Sequence, residues 1–291
     1  MLSQPSVEEL AEFAREAGLL PIDAEFIAQE RQRPEVAERP DYILILIQVP
    51  MFQKVERITR GVNVYLVVRE GQVWTIHFEA LPALERLWEE LSKEREQQEE
   101  YFGETALALA VYLLRRLVAG AFRKLERLSK HIEIAEDAVF HGNERKMVEE
   151  IAFLTRDVTD FRRVIRPQRK LFDVPLTHVL ANDSVRHQWW RLHQYTAKLW
   201  DILEGLDESV KQLGKTNYAL LQHKENQLLR LLTLYSTLTI PVLVLAQAQP
   251  LLLPAEGSSR DVVKMLFWVL FFGLIVTLGT ILWRFRGKRI L

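Results

Sequence analysis

The stretch NQLLRLLTLYSTLTIPVLVLAQAQPLLLP, Asn226 to Pro254, decides the fold. Beyond Arg230 it carries no charged residue as far as Pro254. About 20 such residues cross roughly 30 Å of hydrocarbon as a helix. Buried helices of soluble proteins rarely lack charge for so long, so residues 231–253 read as a first transmembrane helix. Met265 to Trp283 is uncharged as well and reads as a second. Two glutamines, Gln247 and Gln249, and three prolines, Pro241, Pro250 and Pro254, interrupt the first run, and a plain membrane anchor needs none of them.

The flanks set the orientation, because Lys and Arg collect at cytoplasmic ends. Arg284, Arg286, Lys288 and Arg289 follow the second span as a basic tail, 284–291, and Arg230 precedes the first. The outer loop, 254–264, sets Glu256 and Asp261 against Arg260 and Lys264. Both termini are expected in the cytoplasm of a multi-pass protein of the inner (plasma) membrane. The tail is either a positive-inside anchor or an electrostatic collar at the inner membrane face. Trp268 and Trp283 stand where interfacial indoles belong, although packing would also account for them. The start, MLSQPSVEELAEFAREAG, is acidic and amphipathic, without the basic start and apolar core of a secretory signal.

The 291 residues allow roughly two domains, and a formal net charge of -1 names no partner. The absence of cysteine excludes disulfides, Cys-ligated metal centres and a thiol nucleophile. Ser6-Val7-Glu8-Glu9 has capping-box spacing, with Gly18 as a stop, and a second helix runs from about Asp23 to before Pro34. Three β-like runs follow, YILILIQV (42–49), VNVYLVV (62–68) and QVWTIHF (72–78), the last two spaced as a hairpin. Leu81 to about Glu99 returns to helix, with Leu81, Leu84, Leu87, Trp88 and Leu91 on one face. Residues 1–103 are therefore an α/β domain.

After Gly103 the strand signal ends. Residues 104–139 and 144–166 read as an antiparallel helical pair joined at His141-Gly142-Asn143 and closed by Pro167. Asn182-Asp183-Ser184 can cap a further helix, and no proline follows until Pro241. Asp183 to Gln249 would make a rod of roughly 100 Å, which leaves the soluble domain for the membrane. Leu199, Ile202, Leu206, Val210, Leu213, Asn217 and Leu220 keep coiled-coil spacing along it, pointing to self-association around an axis.

This layout resembles the CorA family of divalent-cation channels. Asn226-Gln227-Leu228-Leu229-Arg230-Leu231-Leu232-Thr233 with Leu238-Thr239-Ile240-Pro241 is similar to the family's Asn-Glu-x-Met-Lys-x-Leu-Thr and its proline within the span. Phe140, the Arg166-Pro167-Gln168-Arg169 step and the basic Trp283–Arg289 end fit the same pattern. The resemblance implies an α+β membrane protein: a cytoplasmic αβα domain, a helical pair and long stalk helix over 104–230, two C-terminal transmembrane helices, and five chains around one pore. The family's hallmark is missing. Its Gly-Met-Asn falls on Pro250-Leu251-Leu252 at the outer mouth, where Leu252 cannot hold a hydrated ion as an Asn ring does.

Carried over position by position, the family's pore face becomes Asn226, Leu229, Leu232, Ser236, Ile240 and Leu243, and a further step of four adds Gln247. Mg²⁺ parts reluctantly with its water and suits oxygen acceptors that bind through that shell, as rings of Asn226 and Gln247 amides would. Leu229, Leu232 and Ile240 would form an apolar throat that gates by dewetting. The alternatives stay open: Gln247 as an amide tying helices together in lipid, and Asn226 as a residue fixing register. Stalk acids Asp201, Glu204, Asp207 and Glu208 are candidates for sensing intracellular Mg²⁺ by residue type alone, against a solvated face paired with Lys and Arg.

Other chemistry is set aside. Gly214-Lys215-Thr216 lies inside a helix with Ser209 where a phosphate loop needs Gly, and His187 and His193 point to different helix faces. Trp189, Trp190 and Trp200 lack the basic sheet of a nucleic-acid platform, and no catalytic motif is present. The expected protein is no enzyme and carries no cofactor. It is a channel or transporter for Mg²⁺ or another divalent cation, with altered selectivity. The alternative is the same scaffold without Mg²⁺ conduction, conducting another ion or regulating a membrane-protein partner.

Overall fold

The computed structural model describes residues 1–29, 32–93, 105–173, 176–177, 183–252 and 260–287. They form two compact units, Met1–Asn217 and Tyr218–Leu291. The first is built on an antiparallel ribbon, Tyr42–Gln53 (β3) with Ile58–Arg69 (β4), paired from Tyr42 opposite Arg69 to Gln53 opposite Ile58. Gln72–His77 (β5) returns along β4 through Glu70-Gly71, where Gly71 takes φ +76, the left-handed backbone that tight hairpins need. Leu2–Ser3 (β1) joins β5 in parallel and Glu35–Glu38 (β2) joins β3 antiparallel, giving the order β1-β5-β4-β3-β2. Neither short strand has an apolar alternation to betray it, and the two glutamates of β2 suit an edge that must resist further pairing.

The residues of β3 point alternately into two cores. Tyr42, Leu44 and Leu46 pack with Leu10, Phe13, Ala17 and Ile27, in the layer formed by Val7–Glu16 (α1) and Pro21–Ala28 (α2). Ile43, Ile45, Ile47 and Val49 pack with Leu81, with Leu84 and Leu87 of Pro82–Lys93 (α3), and with Val111 and Leu114 of Ala106–Phe140 (α4). A strand covered on both faces needs no polar alternation, hence the unbroken YILILIQV. Both halves of the Ser6/Glu9 capping box are formed, and Gly18 at φ +66 ends the first helix. The expected stretch of helix beyond Lys93, to about Glu99, lies outside the described residues.

His141-Gly142-Asn143 turns α4 into Glu144–Ile165 (α5), and a 3-10 segment, Arg166–Asp173, carries Pro167. Asp183–Leu252 (α6) is then one helix of 70 residues. Its buried stripe runs Val185, Trp189, Leu192, Thr196, Leu199, Leu203, Asp207, Val210, Leu213, Asn217, in steps of three and four, and stops at the unit boundary. This corrects the coiled-coil seam. Leu199, Val210, Leu213 and Asn217 are covered within one chain, Ile202 stays 38% exposed, and Leu203 and Asp207 take the inward places. Helical spacing alone does not say whether an apolar stripe meets its own chain or another copy. Here α5 supplies the cover: a Cβ on Gly214 would stand 3.6 Å from Ile151 Cγ2, and Arg162 reaches Asp207.

Beyond Leu46, β3 has no β2 partner, and the side chain of buried Gln168 takes that place. Its Nε2 donates to the Gln48 carbonyl at 2.8 Å and to the Val164 carbonyl at 2.9 Å, and its Oε1 accepts from the Gln48 N–H at 3.2 Å. One amide thus satisfies both backbone groups of a single residue, Gln48, at the strand edge. Gln168→Leu is expected to leave them unpaired and to cost about 1–3 kcal/mol, read as a lowered melting temperature of the detergent-solubilised protein; an unchanged value would contradict this role.

Candidate ion pathway

Past Asn217, α6 changes character. Leu228, Leu229, Leu231, Leu232, Tyr235, Ile240, Leu243 and Val244 are all exposed in the single chain, Leu232 at 63% and Val244 at 62%. A helix apolar on every face is stable only inside protein or lipid. Among the described residues α6 is the one helix long and apolar enough to cross a membrane. Its threonine hydroxyls are already satisfied: Thr233, Thr237 and Thr239 each donate at 2.8 Å to the carbonyl four residues earlier. Such bonds suit a segment with no water to pair with. In Arg260–Gly287 (α7) the described apolar stretch is shorter, Phe267–Thr277, and Thr277 donates at 3.0 Å to the Gly273 carbonyl.

Asn226, Leu229, Leu232, Ser236, Ile240, Leu243 and Gln247 all lie on α6 and all are exposed in the single chain. Their steps of three and four put them on one face. Asn226 and Gln247 bound this stripe at its two ends, about 30 Å apart along the axis at 1.5 Å per residue. Among the described residues no three His, Asp or Glu side chains are grouped to hold a metal ion, so the polar groups the stripe offers are amides and one hydroxyl.

α6 runs through Pro250 to Leu252, within the expected first span of 231–253. A proline in the last turn removes one N–H, and the carbonyls nearby are those that a helix end leaves unpaired anyway. The helix thus includes the backbone of Pro250, Leu251 and Leu252; their side chains lie outside the described residues. At the other side α7 already begins at Arg260, inside the expected outer loop. It also runs past Trp283 to Gly287, so Arg284 and Arg286 stand on helix, whereas Lys288 and Arg289, like Pro254, fall outside the described residues.

The stalk acids separate by burial. Asp201, Glu204 and Glu208 are exposed, whereas Asp207 is buried. The Asp207 carboxylate contacts Arg162 of α5 and accepts from Lys211 Nζ at 2.7 Å. Arg162 also lies 5.3 Å above the Trp200 ring, which Arg169 approaches at 5.9 Å. Asp207 therefore serves as a tie between α5 and the stalk, a role that residue type alone could not separate from its three exposed neighbours. Trp189 donates to the Phe172 carbonyl at 3.1 Å, and His193 Nδ1 stands 2.8 Å from Asp173, so both act in packing the stalk.

Fold and site define a membrane protein whose mixed α/β domain is carried on a long stalk helix. Residues 1–246 match the family model described as CorA-like Mg2+ transporter protein. The cobalt/magnesium transport protein CorA of Thermotoga maritima is 23% identical over 249 residues, covering 82% of this chain and 67% of that protein. The complete CorA magnesium transporter of Methanocaldococcus jannaschii superposes with a TM-score of 0.81 at 20% identity, covering 96% of this chain and 87% of that one. The full-length CmaX protein gives 0.74 at 16% identity, with 98% and 86% covered. At these identities the superpositions establish the fold.

The chain belongs to the CorA-like Mg2+ transporter family: it is a divalent metal ion transporter of the membrane, not an enzyme. Its stalk tie gives a direct test. Removing one partner of a buried ion pair costs about 3–5 kcal/mol, because the other charge stays behind. Asp207→Ala is accordingly expected to lower the melting temperature in detergent and to raise amide exchange along 199–217, while Glu208→Ala, at an exposed site, leaves both unchanged.

Proposed function

We propose that this chain assembles as a homopentamer whose first span lines a pore for a divalent cation of the Mg²⁺ type, with a selectivity set by Gln247. The observation that carries this is the exposed stripe from Asn226 to Gln247 on a helix that is apolar all round. Five copies would bury the remaining faces against each other, against α7 and against lipid, and would turn each stripe position into a ring. Both termini would lie on the cytoplasmic side of an inner or plasma membrane, with α/β domains hanging from the stalk.

In such a pore a hydrated cation meets Asn226 amides at the cytoplasmic mouth and Gln247 amides near the outer one. Carbonyl oxygens can bind it through its water shell. Between them Leu229, Leu232, Ile240 and Leu243 form a throat that holds water only when widened, so the closed state is a dewetted one. Pro241 leaves the Thr237 carbonyl without an N–H partner and supplies a place where the span can bend as the throat opens. Transport would be passive, driven by the ion gradient. The basic side chains Arg284, Arg286, Lys288 and Arg289 would anchor the inner end or tune entry there.

One observation favours a second reading. Pro250-Leu251-Leu252 occupies the place of the family's Gly-Met-Asn, and a leucine ring offers no acceptor to a hydrated ion. The scaffold would then conduct a different ion or regulate a membrane-protein partner through its cytoplasmic domain.

Purified protein in liposomes with a trapped Mg²⁺-sensitive dye separates the readings. Flux is expected in the wild type, and Gln247→Leu is expected to reduce it to the level of empty vesicles. A well-folded assembly that passes none of Mg²⁺, Co²⁺, Zn²⁺ or Ni²⁺ would refute the channel. Native mass should give five copies, and a monomer or dimer in mild detergent would contradict the architecture.

A further inference from the structure

The β3–β4 ribbon beyond the five-stranded part of the sheet rests on one stripe of α5 and its continuation. Arg57, in the ribbon turn at φ +53, donates to Glu150 Oε1 at 2.6 Å and covers the Phe153 ring at 4.3 Å. Thr59 Oγ1 donates to Asp157 Oδ1 at 2.6 Å. A Cβ on Gly61 would come within 3.2 Å of Val164 Cγ2, and Gln168 holds Gln48. Glu150, Phe153, Asp157, Val164 and Gln168 fall on a common helical stripe, and Arg162, on another side of α5, reaches Asp207 of the stalk. α5 therefore touches the ribbon with one face and the stalk with the other.

Asp157 is the anomaly among these ties. Its partner Thr59 is buried and neutral, and among the described residues no Lys or Arg lies within ion-pair distance of it. Every other ionic tie on α5 has an opposite charge. A carboxylate pressed against a sheet without a cation is costly, and the cost vanishes when it takes a proton.

We propose that Asp157 is a proton-sensitive latch that sets how tightly the β3–β4 ribbon holds to α5.

Burial raises the Asp157 carboxyl above the usual carboxylate range; the Thr59 hydroxyl pulls it back, Asp160 on the same helix pushes it further up, and the Thr59 N–H and His131 of α4 pull it down. Arg57 is the remaining charge that faces it, held to Glu150. Lys124 of α4 donates to the Pro50 carbonyl on the neighbouring strand, and burial lowers its ammonium to about 8, clear of the acid window. A carboxyl with a raised folded value binds more protons in the folded chain than in the unfolded one. Its stabilising contribution is full in acid and fades as pH rises through the folded value. Acidification therefore tightens the ribbon on α5.

Hydrogen exchange on the full chain in detergent, corrected for intrinsic rates, tests this without reference to ion flux, so its failure would leave the channel reading intact. Protection of residues 50–61 is expected to rise as pH falls through a midpoint above the ordinary Asp value. Asp157→Asn, which keeps the acceptor for Thr59, should flatten the profile at its protected limit. Thr59→Val and His131→Gln should each move the midpoint upward, because each removes an influence that favours the charged form. A pH profile in Asp157→Asn identical to wild type, or a midpoint unmoved in both other variants, would overturn the proposal.

Discussion

Everything in this protein depends on a helix that cannot stay in water along its whole length. The first part of α6, up to Asn217, buries one stripe against its own chain and leaves the rest solvated. The part beyond is apolar all round, with its threonine hydroxyls turned back onto the helix. One continuous helix is thus soluble at one end and insoluble at the other. The same 70-residue element must leave the aqueous domain.

The αβα domain gives that lower half a firm seat. Gln168 seals the strand edge, Arg162 and Lys211 neutralise Asp207, and Trp189 is held by the Phe172 carbonyl. These are polar contacts at buried places, where each unsatisfied group is expensive. Such contacts specify register more sharply than apolar packing does. The pathway region has the opposite chemistry, few polar groups spaced far apart, and in the proposed pore its specificity would come from rings made by symmetry rather than from a preformed pocket.

Much of the fold was legible because it follows from periodicity. The two-sided strand β3, the capping box at Ser6, the turn at Gly142 and the uncharged run after Arg230 each have a local signature. The edge strands β1 and β2 were not, since two and four residues carry no period. The stalk stripe was legible in spacing and misleading in meaning: Leu199, Val210 and Leu213 are already buried within their own chain. Among the candidate site residues, Asn226 to Gln247 came from spacing plus family resemblance, whereas Gln168, the Asp207 tie and Asp157 depend on partners over 40 positions away in sequence. No sequence window contains those pairs.

The central claim is that one face of α6, from Asn226 to Gln247, looks onto water and the others do not. The chain contains no cysteine, so single cysteines report without a background. Cysteine placed in turn at Ser236, Leu243 and Gln247, and off the stripe at Tyr235 and Val242, should be probed with a membrane-impermeant cationic thiol reagent during ion flux. The account predicts rapid modification and block at the three stripe positions, and neither at the two others. Equal reactivity on both faces, or block only at Tyr235 and Val242, would contradict it.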